Sequence, residues 1–127
     1  MRAIALLSMA LLLFAADFDW LGYKEALKKA RKLHKPIMVM ITQKGCPTCE
    51  YMDDVAFEDE ELVDFIEYNF IPVKLSIQEA KKVGLKAYGT PTFYFLDANG
   101  SKIARPLAGG ATAKNFLAKL KEIKGGL

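Results

Sequence analysis

The sequence predicts an α/β domain in which a central mixed β-sheet of about four strands is flanked by helices, with an extra helix at the N-terminal end. Two short apolar runs, at residues 37–41 and 70–75, are separated by a stretch with helical spacing, which is the pattern of parallel strands joined by a right-handed crossover. A third apolar run, at residues 93–96, leads into an Asn-Gly turn and adds antiparallel pairing. Helical periodicity on both sides of these strands supplies the outer layers.

The length and composition indicate one globular domain. The chain has 127 residues, of which 52% are hydrophobic and 26% charged, and these values argue against disorder. Without the first sixteen residues the net charge falls from +3 to +2, which is too balanced for a nucleic-acid-binding domain. The two cysteines are three positions apart and cannot supply a disulfide framework, which a domain of this size does not need. We therefore expect the cysteines to have a chemical use.

Residues 1–16 have the order of a secretory signal peptide. A charge at Arg2 is followed by a run of small and apolar residues and then by Ala15 and Ala16. The run is shorter than the roughly 20 residues that span a bilayer, so a cleaved signal is favoured over a membrane anchor. The sequence therefore predicts a domain at residues 17–127 of a periplasmic or otherwise exported protein, where disulfides can form and persist.

The first helix and strand follow directly. Residues 19–35 place apolar side chains three and four apart and basic side chains on the other face, which predicts an amphipathic helix. Pro36 ends this helix, so His34 is expected to be a helix-end residue rather than a catalytic base. The continuous apolar run at residues 37–41 is typical of a strand buried on both faces.

The cysteine pair opens the next helix. Pro47 suits a first helical turn because its fixed φ fits there and its missing N–H is not needed. Cys49 and Met52 continue with helical spacing. Asp59 is then expected to cap a further helix that carries Leu62 and other apolar residues on one face.

Glycine, proline and asparagine divide the second half of the chain into shorter elements. Pro72 weakens the start of the second strand. The Asp-Ala-Asn-Gly sequence at residues 97–100 predicts a hairpin turn. The elements expected here are a strand at 70–75, one or two helical turns at 78–83, a strand at 93–96, a returning strand at 102–106 and a final helix at 112–124.

Four uses of a Cys-x-x-Cys pair compete. Covalent haem attachment needs a histidine directly after the second cysteine, and this chain has Glu50 there. A structural zinc site needs four ligands, and the chain has two cysteines and His34, which leaves only a site shared across a dimer. A structural disulfide gains little from closing so short a loop. A redox dithiol is therefore the favoured use.

The redox interpretation assigns different roles to the two sulfur atoms. Cys46 is expected at a helix N-terminus, where free N–H groups and the helix dipole stabilise the attacking thiolate. Lys44 lies two residues earlier and adds positive charge. Cys49 lies one turn into the helix, so it is expected to resolve the mixed disulfide.

These motifs together resemble a known family. The Cys-Pro-Thr-Cys sequence at residues 46–49 follows a strand, and Gly-Thr-Pro-Thr at residues 89–92 precedes an aromatic strand. Lys35-Pro36 before the first strand and Asn-Phe-Ile-Pro-Val at residues 69–73 complete the pattern. The chain resembles the thioredoxin-like superfamily, in particular its secreted or periplasmic bacterial thiol:disulfide interchange proteins, from residue 20 to residue 123.

The resemblance implies a thioredoxin fold and a thiol:disulfide oxidoreductase with a redox-active Cys46–Cys49 disulfide and no other cofactor or metal. It implies a cis peptide bond before Pro91, which lies against the cysteine pair. It also implies that the backbone of Thr90 bonds to the partner chain. The residues expected to support the two catalytic cysteines are Lys44, Gly45, Pro47, Thr48, Thr90 and Pro91.

The implied partners are protein thiols and disulfides and a membrane-bound thiol–disulfide redox partner, with no nucleic acid, and the chain is expected to be a monomer. The direction of electron flow stays open. The alternative from a different class is a non-catalytic thioredoxin-fold binding module whose cysteine pair is permanently oxidised.

The chain departs from the family pattern at two positions. Many thioredoxins have a tryptophan directly before the first cysteine, where this chain has Gly45. Many also have a buried acid six residues before it, where this chain has Met40. A proton acceptor for Cys49 is therefore missing, or comes from elsewhere, such as Glu50 or water.

Residues 50–67 contain nine acidic side chains and no lysine or arginine. The interpretation we favour is a solvated helical face with acids near a helix start. The alternative is a docking surface for a basic partner.

Overall fold

The computed structural model describes residues 18–127, so the predicted signal peptide lies outside the described residues. The strands are β1 (Ile37–Thr42), β2 (Ile71–Ser76), β3 (Thr92–Leu96) and β4 (Leu107–Ala108). The helices are α1 (Tyr23–Leu33), α2 (Pro47–Asp54), α3 (Glu60–Asn69), α4 (Ile77–Lys82) and α5 (Ala113–Gly125), with a 3₁₀ turn at Ala56–Glu58. The predicted order of helices and strands is confirmed.

The four strands form one mixed sheet in the order β2-β1-β3-β4. β1 pairs with β2 in parallel, from Ile37 opposite Ile71 to Thr42 opposite Ser76. β1 also pairs with β3 in antiparallel orientation. β1 is therefore the central strand between two partners, and its first five residues are buried, as its continuous apolar sequence predicts.

Each face of the sheet has its own hydrophobic core. One face packs against α2, α3 and α5 and includes Met40, Met52 and an aromatic group in which Phe57 makes edge-on contacts. The other face packs against α1 and α4 through the opposite side chains of the same strands. Successive strand residues point to opposite faces and so contribute to different cores. Because α2 packs on one face and α4 on the other, the two helices lie on opposite sides of the sheet.

The first helix is shorter than the predicted span of residues 19–35. It begins after Gly22 and ends at His34, whose left-handed φ of 54° terminates it. The chain ahead of it is extended instead, and the Leu21 N–H donates to the Pro72 carbonyl oxygen at 3.0 Å. This contact covers part of the outer edge of β2, which would otherwise be an open strand edge.

The predicted returning strand at residues 102–106 is wrong. Lys102 makes only an isolated bridge with Leu96, and regular pairing resumes at β4, where Leu107 lies opposite Phe93. The two registers differ by two residues, so the returning chain bulges between them. Pro106 lies in this bulge, and it has no N–H to donate to a strand ladder.

Candidate active site

The cysteine pair lies where β1 gives way to α2. Pro47 is the first helical residue and Cys46 is the N-cap. Cys46 and Cys49 are joined by a disulfide, with their Cα atoms 5.3 Å apart. The Cys49 N–H donates to Cys46 Sγ at 3.1 Å. The sulfur of Cys46 therefore satisfies one of the free N–H groups at the helix start, as an N-cap acceptor does.

The two cysteines differ in their exposure to solvent. Cys46 is half-buried, whereas Cys49 is 3% exposed and belongs to the core that includes Met52. A large partner can therefore reach the sulfur of Cys46 more readily than that of Cys49.

A second loop lies against the cysteines. The peptide bond between Thr90 and Pro91 is cis. Cys46 Sγ lies 3.3 Å from the carbonyl oxygen of Thr90, so a thiol at this position can donate a hydrogen bond to that oxygen. The Thr92 hydroxyl fixes the loop because it donates to the Gly89 carbonyl oxygen at 2.7 Å and accepts the Tyr88 N–H at 3.0 Å.

The structure brings most of the sequence-predicted site residues together on these two loops. Gly45 has a φ of 72°, which an L side chain adopts only with strain, and this explains a glycine directly before Cys46. Thr48 is exposed on the first turn of α2. Lys44 is exposed on the loop and forms no ion pair within residues 18–127.

A third loop completes the site, and sequence reasoning missed it. The Gly109 N–H donates to the Pro91 carbonyl oxygen at 2.8 Å. The Ala111 N–H points at Met52 Sδ at 3.5 Å. A Cβ added to Gly110 would lie 2.7 Å from Cγ2 of Thr48, so a larger residue there would require the Thr48 side chain or the loop to shift. The Gly-Gly pair at residues 109–110 is the signal in the sequence, and it predicts a loop without indicating that this loop meets α2.

The position of the missing acid is occupied by a buried apolar side chain. Met40 is fully buried and lies opposite Lys74 in the parallel pairing of β1 and β2. Lys74 Nζ donates to Asp53 Oδ1 at 2.8 Å and lies 4.6 Å above the Trp20 ring. Glu50 is exposed on α2. The core beneath the cysteines therefore has Met40 in place of a carboxylate.

The chemistry available at this site is that of sulfur. Within residues 18–127 no group of three or more histidine, cysteine or carboxylate side chains is placed to hold a metal ion. In the same part of the chain, no helix is long and apolar enough to cross a membrane. The arrangement can exchange the Cys46–Cys49 disulfide with an external thiol pair.

Comparisons with known proteins agree with this geometry. Residues 23–124 match the family described as "Thioredoxin-like domain". The chain is 31% identical to the disulfide bond reductase DsbH of Chlamydia pneumoniae, with 84% of this chain and 75% of that protein covered. It is 25% identical to the thiol:disulfide interchange protein DsbD of Campylobacter jejuni over 84% of this chain, which spans 20% of that longer protein.

Among solved structures, a DsbH oxidoreductase superposes with a TM-score of 0.71 at 25% identity, and 87% of each chain is covered. The structural similarity therefore extends over most of both chains.

Proposed function

Because the chain belongs to the thioredoxin-like domain family and is a thiol:disulfide oxidoreductase of the thioredoxin fold, we propose that it exchanges disulfides with protein cysteines outside the cytoplasm. The observation that carries the proposal is the Cys46–Cys49 disulfide at the start of α2, with Cys46 partly exposed and Cys49 buried. In this proposal Cys46 is the nucleophile and Cys49 the resolving thiol.

The proposed exchange has two steps. The thiolate of Cys46 attacks one sulfur of a partner disulfide, so a bond forms to Cys46 Sγ and the partner's other sulfur leaves as a thiolate. Cys49 then loses its proton and attacks Cys46 Sγ, which re-forms the internal disulfide and releases the first partner sulfur as a thiolate. Two electrons pass from the cysteine pair to the partner, and the reverse sequence oxidises a partner dithiol.

The supporting residues act on geometry and charge. The free N–H groups at the start of α2 stabilise the Cys46 thiolate, and Pro47 fixes the first turn. Thr90 and Pro91 hold a backbone segment beside Cys46, where a partner strand can bond to it. Lys44 adds positive charge on the same loop, and Gly45 and Thr48 leave the approach to the sulfur open.

We place this activity outside the cytoplasm because residues 1–16 have the composition of a signal peptide, ahead of a domain that we propose to span residues 17–127. We propose reduction as the direction, since a relative that is 31% identical over the aligned residues is named a disulfide bond reductase. A reductase in an oxidising compartment needs a supply of electrons, so we propose a membrane-bound thiol–disulfide partner that reduces the pair again.

Trapping of mixed disulfides tests the proposal. The Cys49→Ala variant leaves Cys46 to attack but removes the resolving thiol, so it is expected to accumulate covalent complexes with exported proteins on non-reducing gels. The matched Cys46→Ala variant keeps the buried thiol and is expected to trap none. Equal trapping by both variants would contradict the assignment of Cys46 as nucleophile and Cys49 as resolving thiol. Trapping by neither variant, while wild type reduces no protein disulfide, would instead support a binding module with a permanently oxidised pair.

Cell fractionation tests the location. Wild type expressed in a bacterium with a periplasm is expected in the periplasmic fraction, shortened at its N-terminus. A variant that starts at residue 17 serves as the control and is expected to stay in the cytoplasm. Full-length protein in the cytoplasmic fraction would contradict the export proposal.

A further inference from the structure

An open groove runs along α4 and ends near the loops that carry the cysteines and Pro91, although neither Cys46 nor Pro91 lines it. It consists of two adjoining cavities of about 580 Å³ and about 380 Å³, which share Ile77 as a lining residue. The first cavity includes Lys44, two residues before Cys46. The second includes Ala87, three residues before Thr90. A polypeptide bonded to Cys46 can therefore continue into this groove.

The floor of the groove is apolar. Leu85 is almost fully buried there, and Ile77 and Ala87 are half-buried with surface left open to the groove. The hydroxyl of Tyr94 donates to the Lys86 carbonyl oxygen at 2.7 Å and holds the segment that forms this floor. Burial raises the pKa of Tyr94, so its hydroxyl stays protonated and keeps donating. The floor is thus a preformed apolar surface.

The rim of the groove has an excess of positive charge. Lys44, Lys81 and Lys86 line it, and Lys74 is already paired with Asp53. Of these, Lys44, Lys81 and Lys86 form no ion pair within the described part of the chain. The excess cations are therefore available to an acidic ligand.

Among residues 18–127, Glu79 is the one carboxylate that lines the groove, and it is already engaged by its own helix. Glu79 Oε1 accepts the Ser76 N–H at 2.9 Å, and the Ser76 hydroxyl accepts the Glu79 N–H in return. The hydrogen bond from the Ser76 backbone and that from its side chain lower the pKa of Glu79. This charge is committed to capping α4, and it offsets one of the lysines on the rim.

We propose that the groove binds an extended segment of the partner polypeptide that carries acidic and apolar side chains beside its reactive cysteine. The apolar side chains would cover Ile77 and Leu85, and the carboxylates would pair with Lys44 and Lys81. This inference rests on the proposed function and names the substrate class of the same site. A nucleic acid is a poorer fit, because the net charge of the chain is only +3 and nine acids lie between residues 50 and 67.

Two matched peptide substrates test the inference. Both contain one disulfide and the same apolar residues, and they differ only in two aspartates or two lysines beside the reactive cysteine. Reduced wild type is expected to reduce the aspartate peptide about three- to fivefold faster in kcat/KM than the lysine peptide, as one or two exposed ion pairs allow. The ratio is expected to fall toward one in 1 M salt, because exposed charges are screened.

A charge-reversal variant tests whether the preference for the aspartate peptide depends on the lysines of the groove. Lys81→Glu is expected to lower the aspartate-to-lysine ratio to one or below. Lys28→Glu makes the same charge change on the exposed face of α1, lines neither cavity and is expected to keep the wild-type ratio. Because the ratio compares two substrates on one variant, a general loss of activity cancels.

The outcomes separate the inference from the proposed function. If wild type fails to reduce either peptide and a small uncharged disulfide, the proposed function fails. If wild type reduces all of them with equal rates for the two peptides, or if Lys28→Glu lowers the ratio as much as Lys81→Glu does, the groove inference is overturned. A wild-type preference that salt removes shows an electrostatic origin, and where Lys81→Glu does not fold, Lys81→Gln is expected to lower the ratio toward one and locate that preference at the groove.

Discussion

At the scale of single residues, the two cysteines differ in what surrounds their sulfur atoms. Cys46 Sγ accepts an N–H from the start of α2 and lies beside the Thr90 carbonyl oxygen. Cys49 lies in the apolar core with Met52. The first environment contains donors that stabilise a thiolate, and the second is apolar and disfavours one.

The pKa of Cys46 follows from this environment. In a Cys49→Ala variant, thiolate absorbance against pH is expected to show that the N–H groups of the helix start lower the pKa of Cys46 below that of a free thiol, despite the nearby Thr90 carbonyl oxygen. The control is the same variant unfolded in denaturant, in which the Cys46 thiol is expected to have the free value of about 8.5. A folded value near that of the unfolded control would show that the helix start does not activate Cys46.

Met40 provides a second test at the residue scale. Cys49 must lose a proton when it resolves a mixed disulfide, and Met40 in the core beneath it cannot accept one. Met40→Asp is therefore expected to speed release of mixed disulfides near neutral pH in a pre-steady-state assay. The matched control is Met40→Asn, because asparagine has a shape similar to that of aspartate but lacks the carboxylate that accepts a proton. An unchanged rate in a folded Met40→Asp variant would show that solvent or another group already serves Cys49.

The same substitution is expected to cost stability in a pH-dependent way. Burial raises the pKa of an aspartate in the folded state, because the charged form loses its hydration. The unfolded state then ionises first as the pH rises, so the stability loss is smallest below about pH 3.9 and grows toward neutral pH. Thermal melts at pH 4 and pH 7 measure it. A loss that does not grow between these pH values would contradict the expectation of a buried, charge-disfavouring position.

At the scale of elements, the helices and strands that the sequence predicts correctly are those that depend on residues close together in the chain. The continuous apolar run of β1, the proline that opens α2 and the Asp59 cap of α3 all depend on neighbouring residues, and each was found where expected. The prediction of the returning strand was wrong because its pairing depends on a bulge that includes Pro106. Gly110 was missed because its role appears only when a distant loop meets Thr48.

The cap of α3 gives a prediction about an element. The Leu62 N–H donates to Asp59 Oδ1 at 2.9 Å, and acids follow in the first turn. Asp59→Ala is expected to lower the free energy of unfolding by about 1 kcal/mol, measured by urea denaturation, because this N–H loses its partner. Asp59→Asn retains an acceptor oxygen and is expected to lose much less. Equal losses in both variants would indicate that charge near the helix start, rather than the cap hydrogen bond, stabilises α3.

At the scale of the whole molecule, three distant segments meet around one disulfide. The end of β1 with the start of α2 carries the cysteines, the loop before β3 carries the cis proline, and the loop after β4 contacts both through Gly109 and Ala111. The family pattern in the sequence was sufficient to predict the first two segments. The groove along α4 was not predictable, because its lining residues come from separate elements that carry no shared motif.

A redox titration of Cys46 and Cys49 tests the central claim most directly. Purified protein is equilibrated in thiol–disulfide buffers of known potential, free thiols are alkylated, and the oxidised and reduced forms are counted by mass. We expect one two-electron transition with a midpoint between about −270 and −120 mV, the range of exchanging Cys-x-x-Cys proteins. A pair that remains oxidised below about −300 mV would behave as a structural disulfide and would contradict the account.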